Sequence, residues 1–177
     1  MKTEFEVKVL NIDPKEIKAK LISLNAIFLI KRNMKRHVYD IDSNDKSKWI
    51  RLRDDGENVT LTFKQITSNE IDGTKEIEII TGDFDKTNEM LESLGFKSKA
   101  FQENKRESYK LGEASIEIDS WPKIPPYLEV EGENESVVYQ ALEKLGIKKE
   151  ETTSIGVREV YAKYGFDIHS FKELKFD

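Results

Sequence analysis

The feature that most constrains the fold is a period-two alternation in which charged residues take one strand face, often in pairs of like sign. Along an expected strand over 4–10, Glu4, Glu6 and Lys8 fall on one side and Phe5, Val7 and Val9 on the other. Over 49–53, Arg51 and Arg53 oppose Ile50 and Leu52; over 58–64, Thr60, Thr62 and Lys64 oppose Val59, Leu61 and Phe63. Glu76 and Glu78 oppose Ile77 and Ile79 over 74–80, Glu117 and Asp119 oppose Ile116 and Ile118 over 115–119, and Glu129 and Glu131 oppose Leu128 and Val130 over 127–131. Segments 37–41 and 106–111 complete the expected strands. Any one of these is an ordinary half-solvated antiparallel strand. Taken together they are harder to explain that way, because like charges at i, i+2 repel unless opposite charge sits between them.

The apolar faces need covering, and three stretches are punctuated as helices. The first starts at Asp13-Pro14-Lys15-Glu16, with Asp13 as N-cap and Glu16 expected to close a capping box; Ile17, Leu21 and Leu24 share its inner face. The second starts near Asp83 or Asp85 and stops at Gly95, and the third starts near Asn134 and stops at Gly146. Val157, Val160, Tyr161 and Tyr164 suggest a fourth, ending at Gly165, with residues 165–177 expected as a tail or surface helix. Asp54-Asp55-Gly56-Glu57 reads as a hairpin turn, and Pro122, Pro125 and Pro126 mark an ordered bend. Three strand–helix units, led by Glu4-Phe5-Glu6, Glu76-Ile77-Glu78 and Glu129-Val130-Glu131, share this grammar at unequal spacing. The expected fold is α+β: a closed antiparallel barrel with a polar lumen and helices packed outside, in one domain spanning 1–177. This inverts the usual small barrel, whose interior is apolar.

Composition removes several classes of function. The formal net charge is -5 and there is no cysteine, so a basic nucleic-acid footprint, disulfides and thiolate chemistry are all disfavoured. With only His37 and His169, a multi-histidine zinc site is disfavoured too. His37 reads as a strand-surface residue and His169 as a tail residue, while Tyr39, Trp49 and Trp121 read as core or rim. Met1-Lys2-Thr3-Glu4 carries no apolar signal core, and no run approaches the roughly 20 apolar residues of a bilayer span, so a cytoplasmic location is expected. What remains is the charged face. Paired carboxylates suit a hard cation such as Mg²⁺ or Mn²⁺, and lysines with arginines suit phosphate oxygens.

These residues, in this order, resemble the CYTH superfamily, the triphosphate tunnel metalloenzymes. Glu4-Phe5-Glu6-Val7-Lys8 is similar to the family's N-terminal E-x-E-x-K signature. The likeness continues through Arg51-Leu52-Arg53, Leu61-Thr62-Phe63-Lys64, Glu76-Ile77-Glu78, Arg106 with Tyr109, Ile118-Asp119 and Leu128-Glu129-Val130-Glu131, covering roughly residues 1 to 165. The resemblance implies an eight-stranded tunnel in which Glu4, Glu6, Asp119, Glu129 and Glu131 bind divalent metal with help from Glu78. It implies that Lys8, Arg51, Arg53, Lys64 and Arg106 hold a triphosphate. Glu76, Lys105, Arg158 and Lys163 are further candidates. The family often carries lysine two residues before the arginine, where this chain has Asn104.

The resemblance implies a Mg²⁺- or Mn²⁺-dependent phosphohydrolase acting on a small-molecule triphosphate: inorganic, nucleoside or thiamine. The alternatives are a class IV adenylate cyclase, releasing cyclic AMP and pyrophosphate, and a noncatalytic polyphosphate sensor. A monomer or homodimer is expected, without nucleic-acid or membrane partners.

Overall fold

The computed structural model describes residues 1–177. Eight strands close into one antiparallel barrel: β1 (Lys2–Val9), β2 (Ile27–Asp42), β3 (Asp45–Asp54), β4 (Val59–Ile66), β5 (Thr74–Thr81), β6 (Ser98–Leu111), β7 (Ala114–Ser120) and β8 (Tyr127–Gly132). Around the barrel the order is β2-β3-β4-β5-β1-β8-β7-β6, and β6 pairs back onto β2 to close it. β1, first in the sequence, sits between β5 and β8.

Two strands run longer than the alternation suggests. β2 starts at Ile27 instead of 37, and β6 at Ser98 instead of 106. The two strands pair with each other along the closing seam, from Ile27 opposite Lys110 to Tyr39 opposite Ser98, so the added part of each lies mostly against the expected part of the other. The first half of β2 hides its period because Ile27-Phe28-Leu29-Ile30 is a continuous apolar run and Lys31-Arg32 and Lys35-Arg36 put charge on both faces.

The helices begin where their caps indicate. α1 (Pro14–Ser23) is capped by Asp13, whose Oδ1 accepts from the Lys15 amide at 2.7 Å. That bond goes to Lys15 and Glu16 makes no return bond, so the expected capping box does not form. α2 (Phe84–Ser93) is capped by Asp83, and α3 (Glu135–Leu145) by Asn134, whose side chain accepts from Val137. α3 ends at Gly146, whose φ of 74° is the left-handed conformation glycine tolerates best.

α1 and α3 cover the outer face of β1, β8 and β7, where Val7, Leu21, Ile116, Leu128, Val130, Val138 and Leu142 form the largest core. Burying each such side chain contributes about 1.5–3 kcal/mol. α2 covers the outer face of β2 and β3 through Tyr39, Leu52, Phe84 and Leu91, and Tyr39 donates its hydroxyl to Asn88 at 2.6 Å. His37 lies beneath this helix and is no open strand-surface residue. Its ring stacks on Phe84 with centroids 5.3 Å apart and meets Ser98 Oγ at 2.7 Å.

A third cluster is built from α4 (Val157–Lys163) and the tail. Val160, Tyr161, Ile168 and Leu174 pack on Trp121, Ile124 and Tyr127 at the rim where β7 ends and β8 begins. Tyr161 donates its hydroxyl to the Pro122 carbonyl at 2.7 Å. After α4 the chain forms a 3₁₀ turn, Ile168–Ser170, and a short β9 (Glu173–Leu174) parallel to β6, which makes it the tail and not the surface helix of the two expected forms. No helix is long and apolar enough to cross a membrane.

Candidate functional site

Residues paired across neighbouring strands share a face, so the ladder register identifies the lumen. Lys8 pairs with Glu129, Glu6 with Glu131, Glu129 with Glu117 and Tyr127 with Asp119. Asp119 pairs with Arg106, Arg106 with Arg32, and Arg36 with Arg53. Arg51 then pairs with Thr62, Thr62 with Glu78, and Lys64 with Glu76. One continuous inner face therefore carries Glu4, Glu6, Lys8, Arg51, Arg53, Lys64, Glu76, Glu78, Arg106, Asp119, Glu129 and Glu131. All the metal-binding and triphosphate-binding residues expected from the resemblance lie on this lining, with Glu76.

Three others do not. Lys105 alternates outward, and its Nζ rests 4.2 Å from the centroid of the Phe176 ring. Arg158 and Lys163 are exposed on α4, whose inward face is Val160 and Tyr161. Asn104, where the resemblance expects lysine, is buried on the lumen face opposite Met34. Sequence reasoning passed over Arg32, Arg36, Gln102 and Tyr127 as lining residues. The Arg32–Met34–Arg36 spacing was the available signal for two of them.

The lining is organised by contact between opposite charges. Arg106 makes a two-pronged contact with Asp119, Nε to Oδ1 at 2.7 Å and Nη2 to Oδ2 at 2.6 Å, and reaches Glu129 at 3.0 Å. Lys64 holds Glu4 at 2.8 Å and Glu76 at 3.3 Å. Lys8 bridges Glu6 and Glu129. Arg51 and Arg53 share one carboxylate oxygen of Glu78, at 3.3 and 3.5 Å, and Thr62 donates to the same oxygen at 2.7 Å.

Crowding of like charge shows in the ionisation. Burial raises Glu4, Glu6 and Glu131, and neighbouring carboxylates raise them further. Burial pushes Glu117 up to about 7. Glu129 goes the other way: burial would raise it, but Lys8 and Arg106 outweigh that and hold it well below the usual carboxylate range. Opposite, Arg53 is lowered to about 10 by Arg51 and then by burial.

Two features bear on what the lumen accepts. Arg51 Nε, Arg53 Nε and Thr60 Oγ1 are buried without a hydrogen-bond partner. Orphaned donors of this kind are costly unless an acceptor fills the space they face. The acidic side chains are all oxygen donors, the chemistry hard cations prefer. No three of them converge in a metal-holding arrangement, because they are turned onto lysines and arginines.

A family model for the CYTH domain matches residues 2–156. Among solved structures, a conserved hypothetical protein from Pyrococcus furiosus is 25% identical, with a TM-score of 0.76, covering 87% of this chain and 97% of its own. The PH1012 protein from Pyrococcus horikoshii OT3 is 24% identical, with a TM-score of 0.76, covering 86% and 96%. HpAC1 from Hippeastrum, described by a dominant triphosphatase activity, is 13% identical, with a TM-score of 0.57, covering 93% and 96%. The comparison with curated proteins gives no match.

Proposed function

The chain belongs to the CYTH domain family, and from that premise we propose that it is a divalent-metal-dependent phosphohydrolase holding a triphosphate in its lumen. The observation that carries this reading is the set of buried, unpartnered donors, Arg51 Nε, Arg53 Nε and Thr60 Oγ1, opposite a wall of crowded carboxylates. A bound anion would satisfy the donors, and a bound cation would relieve the repulsion among carboxylates that the lumen lysines and Arg106 neutralise only in part. A metal-bound polyphosphate supplies both.

Lys8, Lys64, Arg51, Arg53 and Arg106 hold the phosphate oxygens, with each arginine able to take two at once. As the anion binds, these cations exchange carboxylate partners for phosphate, which frees Glu4, Glu6, Asp119 and Glu129 beside Glu131, whose contact is with Lys2. Those five would hold the metal, with Glu78 assisting from the arginine side. A bound Mg²⁺ or Mn²⁺ would neutralise phosphate charge and lower the pKa of an attacking water. The arginines and lysines stabilise negative charge that grows on phosphate oxygens in the transition state, from positions fixed by strand register. Hydrolysis asks nothing further of the organic part of the substrate.

The test is product analysis of purified protein with Mg²⁺ or Mn²⁺ on tripolyphosphate, ATP and thiamine triphosphate. Release of orthophosphate from any of them supports the reading and identifies the preferred substrate. Cyclic AMP with pyrophosphate from ATP would replace it with a cyclase. Metal-independent triphosphate binding without turnover would leave a sensor.

A further inference from the structure

One lumen cation stands apart from the ion-pair network. Arg51 and Arg53 contact Glu78, Arg106 contacts Asp119 and Glu129, and Lys8 and Lys64 each have carboxylate partners. Arg36, on the same face, forms no ion pair. Its Nε donates to Gln102 Oε1 at 2.8 Å. Its guanidinium carbon sits 4.3 Å from the centroid of the Trp121 ring. Gln102 and Trp121 are themselves 1% and 4% exposed, so the arginine is held by two buried side chains. Stacking on tryptophan fixes the plane of the guanidinium, and the single Gln102 bond fixes one edge. The two Nη groups are left without a protein acceptor.

Its neighbours turn this free edge toward other cations. Arg36 pairs directly with Arg53, and Arg51 follows two residues along β3. Three guanidinium groups thus crowd one part of the lumen with Glu78 as the carboxylate contacted by two of them. The facing stretch of β6 offers Gln102 and Asn104, both neutral, in place of charge. Burial, and after it Arg51, lower Arg36 to about 9. A purely structural arginine would be paired with a carboxylate or sent to solvent.

We propose that Arg36 is a further substrate-binding residue: its free Nη edge, with Arg51 and Arg53, clamps one phosphoryl group at the end of the lumen floored by Trp121. This rests on the reading of the lumen as a triphosphate site and adds a ligand to it from β2.

The experiment is calorimetric titration of the full chain with tripolyphosphate, for wild type and Arg36→Ala, together with Tm in the absence of anion. Loss of a two-pronged charge-assisted contact is expected to weaken binding about 10- to 100-fold. The Tm of the anion-free protein reports separately the cost of leaving Gln102 without its partner and Trp121 uncovered, and a fall of a few degrees there does not bear on the affinity comparison. Affinity within about twofold of wild type, the range of an innocuous surface change, would overturn the proposal. If Arg36→Ala does not fold, Arg36→Gln decides, since it keeps the stem over Trp121: weaker binding with a wild-type Tm sustains the assignment, and wild-type affinity overturns it. Absence of tripolyphosphate binding by wild type would instead overturn the site reading itself, and Arg36 with it.

Discussion

The barrel has two walls of opposite character. On β1, β8 and β7, carboxylates outnumber the cations among them, and Glu4, Glu6 and Glu131 are raised in pKa by burial and mutual repulsion. On β2 and β3, arginines dominate, and Arg36 and Arg53 are lowered to about 9 and about 10. Each wall repels itself, and the lysines and arginines that bridge toward carboxylates relieve only part of it. Ion pairing therefore does not set where these charges lie. Strand register does, supported by the apolar cores outside. The shared strain, opposite in sign on the two walls, points to a ligand carrying both signs.

The comparison is broken most sharply by neutralising one wall at a time. Glu6→Gln should lower metal-dependent orthophosphate release by on the order of 10²-fold. Lys8 keeps Glu129 as a partner, so the metal-free Tm should stay within about 3 °C of wild type. Tripolyphosphate binding without metal should survive; its loss alongside turnover would make the acidic wall a structural element. On the basic wall, Arg53→Ala should weaken tripolyphosphate binding about 10- to 100-fold whether or not metal is present. Wild-type affinity in that variant would remove the arginines from substrate binding.

A smaller effect comes from pH. Glu117 has a folded-state pKa near 7 against an ordinary 4.5, so between those values the native state binds more protons than the unfolded chain. Stability from this group is present at the acidic end and lost as pH rises through about 7; Glu4, Glu6 and Glu131 act in the same direction. Glu129, depressed, opposes them only at more acidic pH, below the ordinary carboxylate range. His37 and His169, both lowered by burial, oppose the raised glutamates in the same window, so the metal-free Tm should rise between pH 7 and pH 5 by less than the roughly 3–8 °C of the glutamates alone, and by more in a variant lacking both histidines. Glu117→Gln should flatten that slope, and an unchanged slope would reassign it to other groups. Smallest of all, Lys105→Ala, Arg158→Ala and Lys163→Ala, which lie outside the lumen, should leave turnover within about twofold of wild type.

How legible all this was depended on contrast between strand faces. Where one face was apolar and the other charged, as at Glu4-Phe5-Glu6 or Arg51-Leu52-Arg53, alternation located the strand and the side that faced inward. Where both faces were charged, as around Lys35-Arg36, the period vanished and with it the inward arginine. Lys105 shows the converse, because adjacency to Arg106 in sequence means opposition across the strand. The choice between tail and surface helix was open for another reason: Ile168 and Leu174 are buried by long-range contact with Trp121 and Tyr127, and no local pattern encodes that.

The position of β1 between β5 and β8 also has a consequence in time. Glu6 is synthesised well before Glu131, its partner across the ladder on the last barrel strand. A ribosome-bound chain must hold its first strand unpaired on that edge until β8 has emerged. The carboxylate wall is completed only after the arginines of β2 and β3 are made, so a growing chain carries the anion-attracting side of its lumen while β1 alone, with Glu4 and Glu6, stands for the acidic side.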